Sequence, residues 1–283
     1  MTIFTDAEHA IQAGFPERHF TIKHGLDNTE LFSMERLIKL AESLPVEQIE
    51  WNSGDAAVSQ DPTKTPGNGL SPAETIRQIE NHKSWLVLKN IETDPEYKAV
   101  LDKCLDEVET IAGKKVTGIC DRAGYIFVSS PGAVTPYHMD PEHNFLMQIR
   151  GSKTMYIYDQ RDREVLKEEQ IENTYYGVAR HRNLEYKESF KEKEEAVTLQ
   201  PGDALHVPIH APHWVKNGDA VSISLSITFR SDQSHKAVRL HVLNARLRKL
   251  GLKPSNVGYK PAMDSLKDAV FRTALGTKKL IRG

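Results

Sequence analysis

The segment Val221-Ser222-Ile223-Ser224-Leu225-Ser226-Ile227-Thr228-Phe229 alternates apolar and polar residues without a break. In an extended strand successive side chains point to opposite faces. Val221, Ile223, Leu225, Ile227 and Phe229 therefore share one face, and Ser222, Ser224, Ser226 and Thr228 the other. Working back along the chain, Tyr125–Val128, Lys153–Tyr158, Ala196–Leu199 and Ala204–Val207 are further short strand candidates. Turn formers punctuate them: Gly132, Gly151, Pro201-Gly202-Asp203 and Asn217-Gly218-Asp219. Several short strands between such turns predict a sandwich or barrel, jelly roll included. Residues 160–195 read as a charged, solvated excursion between two strands.

The flanks read differently. Ser33 precedes an apolar-periodic stretch, Met34 to Leu44, that stops before Pro45, which predicts a capped helix. Residues 52–71 are rich in loop formers and predict a long surface loop, a candidate lid. Ser71-Pro72-Ala73-Glu74 has the form of a capping box opening a helix to about His82, and Ser84–Leu88 reads as a strand. Tyr97, Val100, Leu101, Cys104, Leu105, Val108 and Ile111 recur at helical spacing. That places Cys104 on an apolar face as a buried structural thiol. Near the end, Leu240, Leu243, Leu247 and Leu250 follow helical spacing up to Gly251, a suitable C-terminal cap. This leucine seam either packs on its own barrel or forms a homodimer.

The 283 residues are 39% hydrophobic and 27% charged, an ordinary globular composition that excludes collagen-like, wholly disordered and disulfide-framework classes. Two cysteines give no sign of an oxidising compartment. No apolar run approaches the length of a bilayer span, and the first residues lack the basic and apolar regions of a secretory signal, so a cytoplasmic location is expected. Net charge is −2, unevenly placed: residues 231–283 carry twelve Lys/Arg against three Asp/Glu. A basic tail on an acidic body can attract an anionic surface or dock on the body itself. It carries no groove-reading motif, so nucleic acid is an unlikely partner.

Two windows concentrate histidine. One is Thr135-Pro136-Tyr137-His138-Met139-Asp140-Pro141-Glu142-His143-Asn144; the other, Pro201 to Trp214, holds His206, His210 and His213. On a strand, His138 and Asp140 would project from one face, with Met139 pointing away. A third ligand would come from the second window, and spacing alone leaves His206, His210 and His213 open. Two histidines and a carboxylate leave coordination positions free, as suits non-haem Fe(II) oxygenases; structural zinc prefers a closed set, usually with cysteine. His143 reads as a rim residue after a Pro-Glu turn.

Thr135-Pro-Tyr-His138-Met-Asp140, Asn144, Gln148-Ile149-Arg150-Gly151-Ser152-Lys153, then Pro201-Gly202-Asp203 with Pro208 and His213, resembles the JmjC-type branch of the cupin superfamily. The pattern is close to that of the asparaginyl hydroxylase of hypoxia-inducible factor. The resemblance covers about residues 120–230 and implies a mainly β fold: a double-stranded β-helix, or jelly roll, with helical N-terminal and C-terminal additions. Residues 1–115 would pack on the barrel, 116–232 would form the catalytic core, and 233–283 a basic helical extension.

Carried over residue by residue, the resemblance implies His138, Asp140 and His213 as iron ligands. Lys153 would pair with the distal carboxylate of 2-oxoglutarate and Thr135 would hydrogen-bond it. Asn144 would be a polar neighbour of that cofactor, and Ser226 stands where the asparaginyl hydroxylase has an Asn. Ala211-Pro212 departs from the pair of tryptophans common before the third ligand, which affects the substrate side of the pocket. An inward lysine in a barrel is costly unless it meets an anion. The implied activity is hydroxylation of an unactivated C–H in a protein side chain, a small metabolite or a sugar of an anionic glycolipid, using Fe(II), 2-oxoglutarate and dioxygen. The alternatives are a cupin-type isomerase or dioxygenase that does not use 2-oxoglutarate, and a non-catalytic JmjC-like regulatory or nucleic-acid-binding module.

Overall fold

A computed structural model of the chain describes residues 2–54, 57–59, 67–176 and 184–281. Among these residues the strands form two antiparallel sheets. The larger runs in the order β1 (Phe4–Thr5), β2 (Phe20–His24), β10 (Asp203–Val207), β7 (His143–Arg150), β12 (Ser222–Arg230), β5 (Cys120–Ser129), β4 (Ser84–Lys89), β3 (Ile49–Ser53). The smaller runs β6 (Val134–His138), β11 (His213–Asn217), β8 (Lys153–Ile157), β9 (Glu195–Leu199). This is the predicted jelly roll. The segment before residue 116 supplies both edges of the large sheet as well as helices.

The alternation of β12 sorts its two faces, and both are buried. Ile223, Leu225, Ile227 and Phe229 join Phe145, Met147 and Ile149 of β7 in the main core, which also takes in helices α1 (Ala7–Gly14), α2 (Met34–Ser43) and α4 (Pro95–Ala112). From α4 come Tyr97, Leu101, Cys104, Leu105 and Val108, each at most 1% exposed. Full burial of a large apolar side chain contributes about 1.5–3 kcal/mol, so this face anchors the helical layer. The opposite, serine-bearing face pairs in register with Leu146, which packs on Met155 and Ile157 of the smaller sheet. The serines therefore line the space between the sheets and do not face bulk water.

Local capping follows the sequence. Ser33 Oγ accepts from the Arg36 N–H at 3.3 Å, and Ser71 Oγ from the Glu74 N–H at 3.2 Å. The helix opened by Ser71, α3 (Pro72–Arg77), stops well short of His82. Its end tightens because the Ile79 N–H donates to the Ile76 carbonyl and the Asn81 N–H to that of Gln78, three-residue spacings that close the last turn. Gly251, at φ +79°, ends helix α6 (Asp232–Lys249). The Gly251 N–H bonds to the Arg248 carbonyl and the Leu252 N–H to the Leu247 carbonyl, the Schellman pattern.

Four expectations are corrected. Asn52 and Ser53 belong to β3, so the loop begins later. Of the candidate lid, residues 55, 56 and 60–66 lie outside the described residues; the Val58 carbonyl accepts from the Tyr137 N–H at 2.9 Å, which sets this segment against β6. Residues 160–195 are not merely solvated: Val165, Leu166, Ile171 and Phe190 are buried, two of them against Tyr137 and Tyr158 and two against Met139, with α5 (Glu168–Tyr175) within the segment. His143 is no rim residue; it opens β7, is 5% exposed and stacks on Phe229 with centroids 5.0 Å apart. The leucine seam is not a continuous sticky face. Leu240 is buried within the chain while Leu250 is 77% exposed, and α6 buries His241, Asn244 and Ala245 instead. A homodimer through that seam finds no support in it. Among the described residues no helix is long and apolar enough to cross a membrane.

Candidate metal centre

Antiparallel pairing of β6 with β11 sets His213 directly opposite His138. Their rings lie 4.2 Å apart. Asp140 does not share the strand with His138, as the spacing had suggested, because β6 ends at His138. Asp140 sits in the following turn just before Pro141, and its carbonyl accepts from the His210 N–H at 2.9 Å. The turn brings Asp140 Oδ2 to 4.0 Å from His138 Nε2 and 3.9 Å from His213 Nε2. Met139, between them, points away into a cluster with Leu166 and Ile171.

The two imidazoles are oriented alike. His138 Nδ1 lies 2.7 Å from the Pro136 carbonyl, and His213 Nδ1 2.9 Å from that of Ala211. A carbonyl only accepts, so each Nδ1 carries a proton, and each Nε2 is turned toward Asp140. Burial pushes the His213 pKa down to about 4; neighbouring His138 adds to this and Asp140 opposes it. Two imidazole Nε2 atoms and a carboxylate converging from one side fit a divalent metal held facially, with positions open.

Lys153 opens β8 on the inner face it shares with Met155 and Ile157, and is 5% exposed. No carboxylate among the described residues pairs with it, and its Nζ lies 5.9 Å from the centre of the Phe127 ring. Burial lowers its pKa from 10.5 to about 7. Thr135 is half-buried and stands beside Val215 in the register. Ser226 Oγ donates to Asn144 Oδ1 at 2.8 Å, both side chains buried. Sequence reasoning missed the rest of this polar wall: Ser224 Oγ donates to Gln148 Oε1 at 2.7 Å, and Gln148 Nε2 to Ser222 Oγ at 3.0 Å. The alternation of β12 was the signal for it.

The other two histidines of the second window turn elsewhere. His206 lies on the helix-facing side of β10, among Phe15, Phe20 and Phe145. His210, at φ +63°, bonds the Tyr175 hydroxyl through Nε2 at 2.6 Å and touches the centre only through its main chain.

Residues 57–235 match the cupin-like domain family, and the chain belongs to that family. Among relatives, HSPB1-associated protein 1 from Bos taurus is 28% identical over 249 residues, 78% of this chain and 47% of that protein. Jumonji C domain-containing protein 5 from Drosophila melanogaster is 30% identical over 162 residues, 56% of this chain and 38% of that one. The chain thus spans less than half the length of these relatives. Among solved structures, Escherichia coli YcfD superposes with a TM-score of 0.55 at 18% identity, covering 97% of this chain and 68% of that chain. A structure of the same ribosomal oxygenase in complex with cobalt and 2-oxoglutarate gives a TM-score of 0.54 at 17% identity, covering 97% of this chain and 67% of that one. At this identity the likeness is one of fold.

Proposed function

We propose that this chain is an Fe(II)- and 2-oxoglutarate-dependent oxygenase that hydroxylates an unactivated C–H bond. The observation that carries the reading is the combination of the His138–Asp140–His213 cluster with an inward Lys153 on the same small sheet, with which no carboxylate among the described residues pairs. Ile157 stands beside His213, and Lys153 beside Asn217. Four residues at about 3.3 Å each put the two levels about 13 Å apart, a span that a five-carbon dicarboxylate and a lysine side chain can bridge together. A YcfD structure holding cobalt and 2-oxoglutarate in a similar fold supports this assignment.

When bound, the metal with 2-oxoglutarate would supply oxidative chemistry that no protein side chain provides: dioxygen is consumed, 2-oxoglutarate becomes succinate and carbon dioxide, and one oxygen atom enters the substrate. The protein's part is positioning. His138, Asp140 and His213 hold the metal from one side and leave the other side open. Lys153 pairs with the distal carboxylate, and the Thr135 hydroxyl donates to it. Asn144 and Ser226 present a polar wall that fixes the cofactor's orientation. The first substrate class to screen is a protein side chain, since YcfD is described as a ribosomal oxygenase; small metabolites and anionic glycolipid sugars follow. A cupin-type isomerase would have no use for Lys153.

Succinate formation by the Fe(II)-loaded protein, supplied with 2-oxoglutarate and oxygen, tests the proposal. Turnover should disappear in His138→Ala and Lys153→Ala. Neither succinate nor calorimetric binding of 2-oxoglutarate by the metal-loaded protein would sink it.

A further inference from the structure

A second cluster of metal-ligating side chains lies outside the triad, where β5 begins and α6 begins. Cys120 Sγ lies 3.3 Å from His235 Nε2, and His235 Nε2 lies 3.7 Å from Asp121 Oδ2. The three donor atoms all fall within 4.8 Å of one another. Zinc bonds of about 2.3 Å to sulfur and about 2.0–2.2 Å to nitrogen and oxygen, at tetrahedral angles, put donor pairs about 3.3–3.6 Å apart. The separations from His235 Nε2 to Cys120 Sγ and to Asp121 Oδ2, 3.3 and 3.7 Å, are close to these values.

The backbone here is shaped for the cluster. Cys120 pairs with Arg230 across a register irregularity whose extra residue lies on β5, and bulges of this kind re-aim side chains. Asp121 holds φ +50°, a left-handed conformation uncommon outside glycine. Gly118, also left-handed at φ +63°, leaves room for Asp232, because a Cβ there would meet its carboxylate at 2.6–2.7 Å. Asp232 Oδ2 in turn accepts from Thr117 Oγ1 at 2.9 Å. The Asp121 and Asp232 carboxylates make this an acidic setting that favours a cation. A bound metal displaces the thiol proton.

We propose that Cys120, Asp121 and His235 form a second metal site, distinct from the triad, that takes a borderline-soft divalent ion such as zinc. Thiolate with imidazole selects zinc over magnesium, and three protein ligands leave a fourth position for water. The ion would join the first residue of β5 to the first turn of α6, tying the basic C-terminal extension to the barrel.

Cobalt(II) distinguishes the two sites, because the triad has no sulfur and Cys104 is fully buried on α4. In protein carrying His138→Ala and His213→Ala, cobalt should give a sulfur-to-metal charge-transfer band that saturates at one equivalent and is displaced by zinc. Adding Cys120→Ser should abolish the band. In the unsubstituted chain, excess zinc should slow iodoacetamide alkylation of Cys120, followed by mass spectrometry, by roughly tenfold or more, since metal-bound sulfur is no longer a free nucleophile. Excess magnesium should not, and His235→Ala should remove the protection. A band that survives Cys120→Ser, or alkylation indifferent to zinc, would overturn the proposal. The alkylation arm decides alone if the doubly substituted protein does not fold.

Discussion

Replacing Lys153 with methionine keeps an unbranched side chain and removes its charge. In the protein this ammonium is 5% exposed and has no carboxylate partner among the described residues. Lowering its pKa from 10.5 to about 7 corresponds to about 5 kcal/mol between its two protonation states. Because the folded pKa lies below the unfolded one, the unfolded chain binds more protons between those values, so stability rises with pH from about 7 to about 10.5 and is lowest below 7. Lys153→Met should therefore raise the melting temperature of the ligand-free protein, most clearly near about pH 6, and the gain should fade toward alkaline pH. Binding should change in the opposite sense. Leaving one partner of a buried ion pair uncompensated costs about 3–5 kcal/mol, which weakens the Kd for 2-oxoglutarate by roughly two to four orders of magnitude. Anaerobic calorimetry on the Fe(II)-loaded proteins reads the second effect, and scanning calorimetry the first. A Kd within about threefold of the parent, in a variant that folds, would refute the pairing of Lys153 with the dicarboxylate. A lower melting temperature near about pH 6 would refute the claim that the charge is uncompensated before cofactor binds.

If Lys153 pairs with the dicarboxylate as proposed, binding requires its protonated form, and the affinity for 2-oxoglutarate should fall as pH rises above about 7, approaching tenfold per pH unit; a flat calorimetric profile across that range contradicts the assignment. Gly151 holds φ +66°, and a Cβ there would run into the Val221 carbonyl oxygen, so Gly151→Ala should cost about 2–4 kcal/mol in denaturant unfolding; a neutral result would show that the turn before Lys153 relaxes freely. His206→Phe should shift stability by no more than about 1 kcal/mol, because it loses the Nδ1 contact with the Arg18 carbonyl but also removes a buried Nε2 without a partner. Its metal affinity should be unchanged, and a loss in equilibrium dialysis would make His206 a ligand. Tyr175→Phe removes the hydroxyl on His210, whose main chain holds Asp140; metal affinity should weaken roughly 10–100-fold while the fold persists, and unchanged dialysis would detach this network from the centre.

What was legible in the sequence is what local chemistry decides. The α4 stripe, the Ser33 cap and the β12 alternation each depend on neighbours within a turn or on two-residue periodicity, and each stands where expected. The strands β7 and β11 were not legible, and β6 was read only as a strand about His138 that ran on to Asp140. Pro136 inside β6 argues against a strand by ordinary rules, yet β6 sits at the edge of its sheet, where a missing N–H is tolerated. β7 is buried on both faces from His143 to Ile149, so it shows no alternation. His143 was misplaced for that reason, since its burial depends on Phe15 and Phe229, which are far away in the chain. For His213, the histidine-rich window narrowed the choice, but spacing could not rank it against His206 and His210. Register ranks them: His213 faces His138 across a strand pair, while His206 falls on the helix side of β10.

The serine face of β12 shows how a familiar pattern can carry a different meaning. Apolar-polar alternation ordinarily marks a strand with one dry and one wet side. Here both sides are dry, and the polar side survives burial because its hydroxyls are paired: Ser222 and Ser224 with Gln148, Ser226 with Asn144. Each such group left unpaired would cost about 1–3 kcal/mol, so the ladder is tolerated only as a complete set. A barrel whose inner walls served stability alone would be filled like the Leu146–Met155–Ile157–Val215 cluster, with side chains that need no partners. A wall of satisfied hydroxyls opposite a lysine with no carboxylate partner among the described residues leaves one charge for a guest to neutralise. That asymmetry, more than the triad alone, is what makes an anionic co-substrate the better reading of this interior.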